Sequence, residues 1–212
     1  MYHLNGHLIE NFKEEKDLGI LLSEDLRFEK HITSCIKKAN KMLALIKSTF
    51  SYIDKSIFLM LYKVYVRPLL EYSQEIWSPY LIKDIKRIEK VQERATKLVP
   101  GMASLSYEDR LKHLNLYTLQ YRRDRGALIT MYKIYHELID INMEALFTKS
   151  STNNMDTRSH SHKLEFKKCI GDIRRNTFSQ RVIVPWNTLP RYVIESPTVD
   201  SFKRNLDKHK GF

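Results

Sequence analysis

LIKDIKRIEKVQERATKLV, residues Leu81 to Val99, holds two interleaved stripes. Ile82, Ile85, Ile88, Gln92, Ala95 and Val99 recur at helical spacing, while Lys83, Arg87, Lys90, Arg94 and Lys97 follow at intervals of four, three, four and three. An α-helix turns once in about 3.6 residues, so each set forms one face and the two faces point in nearly opposite directions. The segment predicts a helix that buries one side and carries six bases against three acids between Lys83 and Lys97. Pro100-Gly101 ends it, because proline cannot continue the hydrogen-bond ladder and glycine accepts the left-handed backbone that closes a helix.

The same period extends toward the N-terminus. Ile32, Cys35, Ile36, Ala39, Leu43 and Ile46 line one face of a helix expected from about Phe28 to Phe50, with Lys30, Lys37, Lys38, Lys41 and Lys47 largely elsewhere. Asp54 reads as the N-cap of a second helix that buries Ile57, Phe58, Leu61, Val64 and Tyr65 until Pro68 kinks or ends it. Ser78-Pro79 is the next break. Before Phe28 the period is two. Asn5-Gly6 between short alternating runs predicts a type I′ hairpin, and Lys16 to Leu22 (KDLGILL) predicts one further strand. So small a sheet must pack on something else to persist.

Toward the C-terminus, Ser106 with Asp109 resembles a capping box opening a short helix through His113. A helix from about Thr118 to Leu138 is expected to bury Leu119, Leu128, Met131 and Tyr135, and it carries Arg122, Arg123 and Arg125. Thr148 to Ser161 (TKSSTNNMDTRSHS) is polar and non-periodic, which reads as a linker. The last fifty or so residues are less regular. They show a β-like Arg181 to Val184, a Pro-bounded Trp186 to Pro190, and a closing helix after Ser196-Pro197 with proline at its first position.

Lys and Arg outnumber Asp and Glu by 36 to 25, a net charge of +11, which favours a polyanionic partner. Residues 1–29 carry three basic and seven acidic groups, so the positive excess lies beyond them. The two cysteines, Cys35 and Cys169, do not suggest a disulfide framework. No apolar run approaches the ~20 residues of a membrane span, and a soluble intracellular protein, in nucleus or cytoplasm, is expected.

Two-metal polymerases and nucleases need carboxylates clustered tightly enough to clamp both ions. This sequence has no Asp-Asp pair, and acids such as Glu89 and Glu93 alternate with Lys90 and Arg94 in the pattern of a solvated helix face. His160, His162 and Cys169 offer zinc-ligating side chains, but their spacing is not a finger's and no fourth ligand is evident, so a solvated loop is the expectation. No nucleophile elbow or phosphate-cradling glycine loop is present, and six glycines do not suggest a dinucleotide fold. The basic stripe has more to offer. With Lys37, Lys38 and Lys41 and with Arg122, Arg123 and Arg125, it suits contacts to a phosphate backbone. Tyr62, Tyr65, Tyr72 and Tyr80 are expected in the core with wet hydroxyls.

Several segments, read in order, resemble the C-terminal part of jockey-like non-LTR retrotransposon reverse transcriptases. They are KDLGILL (16–22), HITSCIKKANKML (31–43), VRPLLEY (66–72) with WSPY (77–80), IEKVQERATKLVPG (88–101), SYEDRLKHLNLYTLQYRRDRG (106–126), TRSHSHKL (157–164) and FSQRVIVPWNTLP (178–190). The resemblance implies that the hairpin and Leu18-Gly19-Ile20 correspond to the primer-grip edge of a palm, and residues 28 to about 100 to a helical thumb and its continuation. It also implies a chain that begins inside a larger domain, with fingers, paired aspartates and endonuclease outside it. Ala127 departs from the resemblance, standing where the family often has an acid.

The expected fold is mainly α: a thumb-like helical bundle (28–147) behind a small β remnant (1–27), then a polar linker (148–163) and an irregular C-terminal segment with a closing helix (164–212). The expected function is a non-catalytic piece of an RNA-directed DNA polymerase holding RNA, an RNA–DNA hybrid or a DNA duplex. No cofactor is expected, Mg2+ entering only with the missing palm. Further partners are that palm and its fingers. The alternatives are a helical protein-interaction module and a part of an active enzyme completed by upstream sequence.

Overall fold

The computed structural model describes residues 2–4, 7–9, 12–150 and 162–211, and among these helices dominate. They divide into two compact units, Met1–Gln120 and Tyr121–Phe212, each with its own core. Residues 28–147 are expected as one bundle, whereas the helix expected from about Thr118 to Leu138 contributes to the second core through Ala127, Leu128, Met131 and Tyr132. None of the described helices is long and apolar enough to cross a membrane.

In the first unit, β1 (Tyr2–Leu4) pairs antiparallel with β2 (His7–Ile9), Tyr2 opposite Ile9. The Asn5-Gly6 turn lies outside the described residues. KDLGILL is a hairpin corner and not one strand. β3 (Glu14–Asp17) and β4 (Ile20–Ser23) pair antiparallel through a turn at Leu18 and Gly19, whose φ angles are 44° and 86°. Positive φ at both central positions fits a tight hairpin, and glycine accepts it without strain. Ile20 enters the core, while Leu18 at the turn stays exposed.

Helix α1 (Glu29–Thr49) buries Ile32, Cys35, Ala39, Leu43 and Ile46, as its period dictates. Helix α2 (Lys55–Leu61) starts at Asp54, whose carboxylate accepts from Ile57 N at 2.8 Å. A π-helical turn comes next at Tyr62–Val66, closed by Arg67 N donating to Tyr62 O at 2.8 Å, and α3 (Pro68–Glu71) runs on from it. This wider turn changes which side chains are buried. Val64 and Tyr65, expected in the core, are exposed, while Val66 and Leu70 join the expected Tyr62 inside. One residue added to a turn rotates every later side chain of the helix by about 100°. Pro68, which has no N–H to give, is accommodated where the regular ladder is already interrupted.

Helix α4 (Gln74–Trp77) places Trp77 in the core, and α5 (Ile82–Thr96) buries Ile88, Val91, Gln92 and Ala95. Ile82, expected inside, is 70% exposed at the start of α5. Helix α6 (Tyr107–Leu114) is capped by Ser106, whose hydroxyl accepts from Asp109 N at 3.1 Å.

The second unit is built on α7 (Leu119–Tyr135) from Tyr121 onward, with α8 (Met143–Leu146), α9 (Asp172–Arg175), α10 (Phe178–Arg181), α11 (Ile183–Asn187), α12 (Arg191–Ile194) and α13 (Val199–His209). Trp186 and Phe202 are fully buried, and Tyr132 stacks on Phe202 while its hydroxyl donates to Ser196 O at 2.5 Å. Arg181–Val184 is helical rather than β-like. A short apolar run does not distinguish strand from helix, and here backbone bonds from Arg181 N to Thr177 O, Val182 N to Phe178 O and Trp186 N to Val182 O wind it. The two ends of the expected linker are paired, Lys149 bridging Leu164. Asn187 brackets Leu164 through bonds of 2.9 and 2.8 Å to its N–H and C=O. The cap of α13 is Thr198, in a capping box with Ser201, so Pro197 precedes the cap instead of opening the helix.

Candidate nucleic-acid interface

The basic stripe of α5 lies along α1, and the contacts have a constant arithmetic. Lys83 Nζ donates to Glu29 Oε1 at 3.1 Å, Arg87 Nη2 to Thr33 Oγ1 at 2.8 Å, and Arg94 Nη2 to Asn40 Oδ1 at 3.0 Å, each pair 54 residues apart. A fixed offset over three rungs means that the two helices run in the same direction and stay in register. Continued along the seam, it sets Lys37 level with Val91, beside Lys90, and Leu43 level with Lys97.

The rungs are not equivalent. Lys83 is paired with Glu29, and Arg87 also donates to Asp84 Oδ1 at 2.9 Å. Asp84 is only 2% exposed, so Arg87 neutralises a buried carboxylate and ties it to α1. At this end the expected phosphate contacts are already engaged within the protein. Further along, Lys37, Lys41, Lys90, Arg94 and Lys97 are exposed, and among the described residues none pairs with a carboxylate. Lys41 shares the outward face with Lys37, four residues on, whereas Lys38 lies about 100° round the helix. Lys38 lies on the side of His31 and Cys35: burial and then Lys38 hold the His31 pKa down, while burial pushes the Cys35 thiol up against the opposing pull of Lys38.

Beyond the last rung the seam opens into a groove of about 880 Å³, lined by Asn40, Lys47, Phe50, Tyr52, Arg94 and Lys97 among others, with no carboxylate. Lys47, Phe50 and Tyr52 are absent from the set the sequence suggested. Lys47 lies seven residues, about two helical turns, beyond Asn40 on the same face of α1 as Thr33 and Lys37, and that spacing would have pointed to it; nothing in the sequence marks the aromatics.

The arginines of α7 belong to the second unit. Arg123 is 2% exposed, which corrects the expectation of a solvent-facing cation there. Arg125 forms a two-pronged pair with Asp207, at 2.6 and 2.8 Å, and Tyr121 donates to the same carboxylate at 3.1 Å. Arg122 is partly exposed. Ala127, where the resemblance leads one to expect an acid, is buried in this core.

Two groups that the sequence does not single out have structural tasks. Glu89, expected on a solvated face, is partly buried and accepts from Leu119 N at 3.1 and 3.0 Å, from Gln120 N at 3.3 Å, and from the Tyr107 hydroxyl. Its carboxylate thus serves the unsatisfied N–H groups at the start of α7. Burial, with Glu89 beside it, pushes the Tyr107 phenol far above its ordinary value. Gln92 completes the network, accepting from Tyr62 at 2.5 Å and donating to Tyr117 O at 2.9 Å. His31 Nδ1 accepts from Leu21 N at 3.2 Å, and its Nε2 lies 3.4 Å from Cys35 Sγ. Burial, then Lys38, holds its pKa down.

Of the zinc-type triplet, His160 lies outside the described residues. His162 meets the Tyr135 hydroxyl at 2.8 Å and Glu195 at 3.1 Å, while the Cys169 thiol donates to Lys167 O at 3.3 Å. Among the described residues no three His, Cys, Asp or Glu side chains gather as a metal site would require.

Comparison with known proteins gives two distant matches. Over 126 residues the chain is 29% identical to an uncharacterized protein of Caenorhabditis elegans, covering 58% of this chain and 62% of that one. Over 89 residues it is 32% identical to the "probable RNA-directed DNA polymerase from transposon X-element" of Drosophila melanogaster, covering 41% of this chain and 10% of that polymerase. No family model and no solved structure matches.

Proposed function

We propose that this chain is a piece of a retrotransposon-type RNA-directed DNA polymerase that holds a nucleic-acid backbone along the seam of α1 and α5 and carries no catalytic centre of its own. The distant likeness to a transposon polymerase supports the class. The observation that carries the binding role is the seam: two helices in parallel register, with Lys37, Lys41, Lys90, Arg94 and Lys97 exposed beyond the rungs that Glu29 and Asp84 neutralise. A row of cations along two rods suits phosphates, which fix position without reading sequence.

Affinity for an RNA–DNA hybrid is expected to fall with salt, log K against log salt having a slope of about −0.7 to −0.9 for each phosphate neutralised. Replacing Lys37, Lys90 and Lys97 together by Gln reduces that slope by roughly 2 to 3 with the fold intact. An unchanged slope removes the seam from the interface, and retention of a protein partner at high salt with no binding to hybrid favours a docking module instead.

A further inference from the structure

The groove at the end of the seam differs from the seam in offering flat apolar surface as well as charge. Tyr52 is 66% exposed and Phe50 38% exposed. Both stand on the short link between α1 and α2, which is fixed on either side of Tyr52. Phe50 N donates to Ile46 O at 3.1 Å, Ile53 is buried, and Asp54 caps α2. The rings are therefore presented on a braced connection with few backbone states to lose on binding. Opposite them stand Arg94 and Lys97, with Lys47 in the last turn of α1. Arg94 is held in place by Asn40 and by its Nε bond to Lys90 O at 3.2 Å.

Cations without acids specify a polyanion, and exposed rings beside them specify bases free to stack. A duplex covers its base faces, so these two features together fit an unpaired strand. We infer that the groove lined by Phe50, Tyr52, Lys47, Arg94 and Lys97 seats a single-stranded nucleic-acid segment, its bases stacked on Tyr52 and Phe50 and its phosphates on the three cations. This rests on the seam holding a nucleic-acid backbone, and it adds a place where the strand is unpaired.

The test compares the full chain's affinity for a blunt RNA–DNA hybrid with that for the same hybrid carrying a single-stranded extension of about five nucleotides, a length within the range of single-strand sites. The extension is expected to tighten binding by roughly tenfold, and Tyr52→Ala with Phe50→Ala to abolish that gain while leaving blunt-hybrid affinity and its salt slope unchanged. Tyr52→Trp restores the gain. Thermal unfolding by circular dichroism checks that the exposed-ring variants remain folded. A 2-aminopurine in the extension should be quenched on the wild type and not on the double variant. If the blunt hybrid binds but the extension adds nothing, or adds as much to the double variant, the inference is overturned while the seam stands. If neither ligand binds, the seam reading itself fails.

Discussion

Arg87 shows how one side chain changes role between sequence and structure. It belongs by spacing to a solvent-facing basic stripe, yet its guanidinium neutralises the buried Asp84 and reaches Thr33 on α1. Arg87→Gln leaves that carboxylate without its counter-charge and is expected to cost about 1 to 3 kcal/mol in urea unfolding. The salt slope of hybrid binding should change by less than one phosphate's worth. His31 provides a pH dependence. Its folded pKa lies below the ordinary 6.5, so the unfolded chain takes up the proton first, and stability falls as pH drops from about 6.5 toward the folded value. Protonation would also put a hydrogen on Nδ1, where Leu21 N now donates. Thermal midpoints measured across pH 7 to 5 should decline less steeply in His31→Gln than in wild type; equal slopes would show that other groups govern the acid limb.

At the scale of elements, what the sequence discloses depends on whether a local rule acts alone. The 3.6 period places α1 and α5, and Asp54 and Ser106 mark two helix starts, because side-chain spacing and capping are local. The π-helical turn at Tyr62–Val66 is not written in any period, and it turns Val64 and Tyr65 outward and Val66 inward, while Tyr62 stays in the core as expected. KDLGILL reads as a strand until Gly19 is recognised as a positive-φ corner. The site divides in the same way. Lys37, Lys90 and Lys97 are legible from spacing, whereas the engagement of Lys83 and Arg87 depends on Glu29 and Thr33, 54 residues away. Glu89 belongs to this scale too, since it joins α5 to the first N–H groups of α7. Glu89→Ala is expected to speed hydrogen exchange at Leu119 and Gln120 and to cost about 1 to 3 kcal/mol. Unaltered exchange there would mean that water replaces the carboxylate without loss.

The whole molecule has two cores and two tryptophans, Trp77 in one and Trp186 in the other. Single-tryptophan variants, Trp186→Phe and Trp77→Phe, therefore let each core report its own unfolding. Phe202→Ala, which empties a fully buried site beside Tyr132, is expected to lower the Trp186 transition by about 3 kcal/mol and to leave that of Trp77 within about 0.5 kcal/mol. Equal shifts in both would show one cooperative fold. The exposed cations of the seam lie in the first unit, so the proposed binding is assigned to that unit. Amine-reactive labelling of the full chain, with and without saturating RNA–DNA hybrid and with mass mapping of the products, tests that claim most directly. The account predicts protection at Lys37, Lys41, Lys90 and Lys97, with Lys112, Lys203 and Lys208 labelled as before; protection centred on those three, with the seam lysines unchanged, would contradict it.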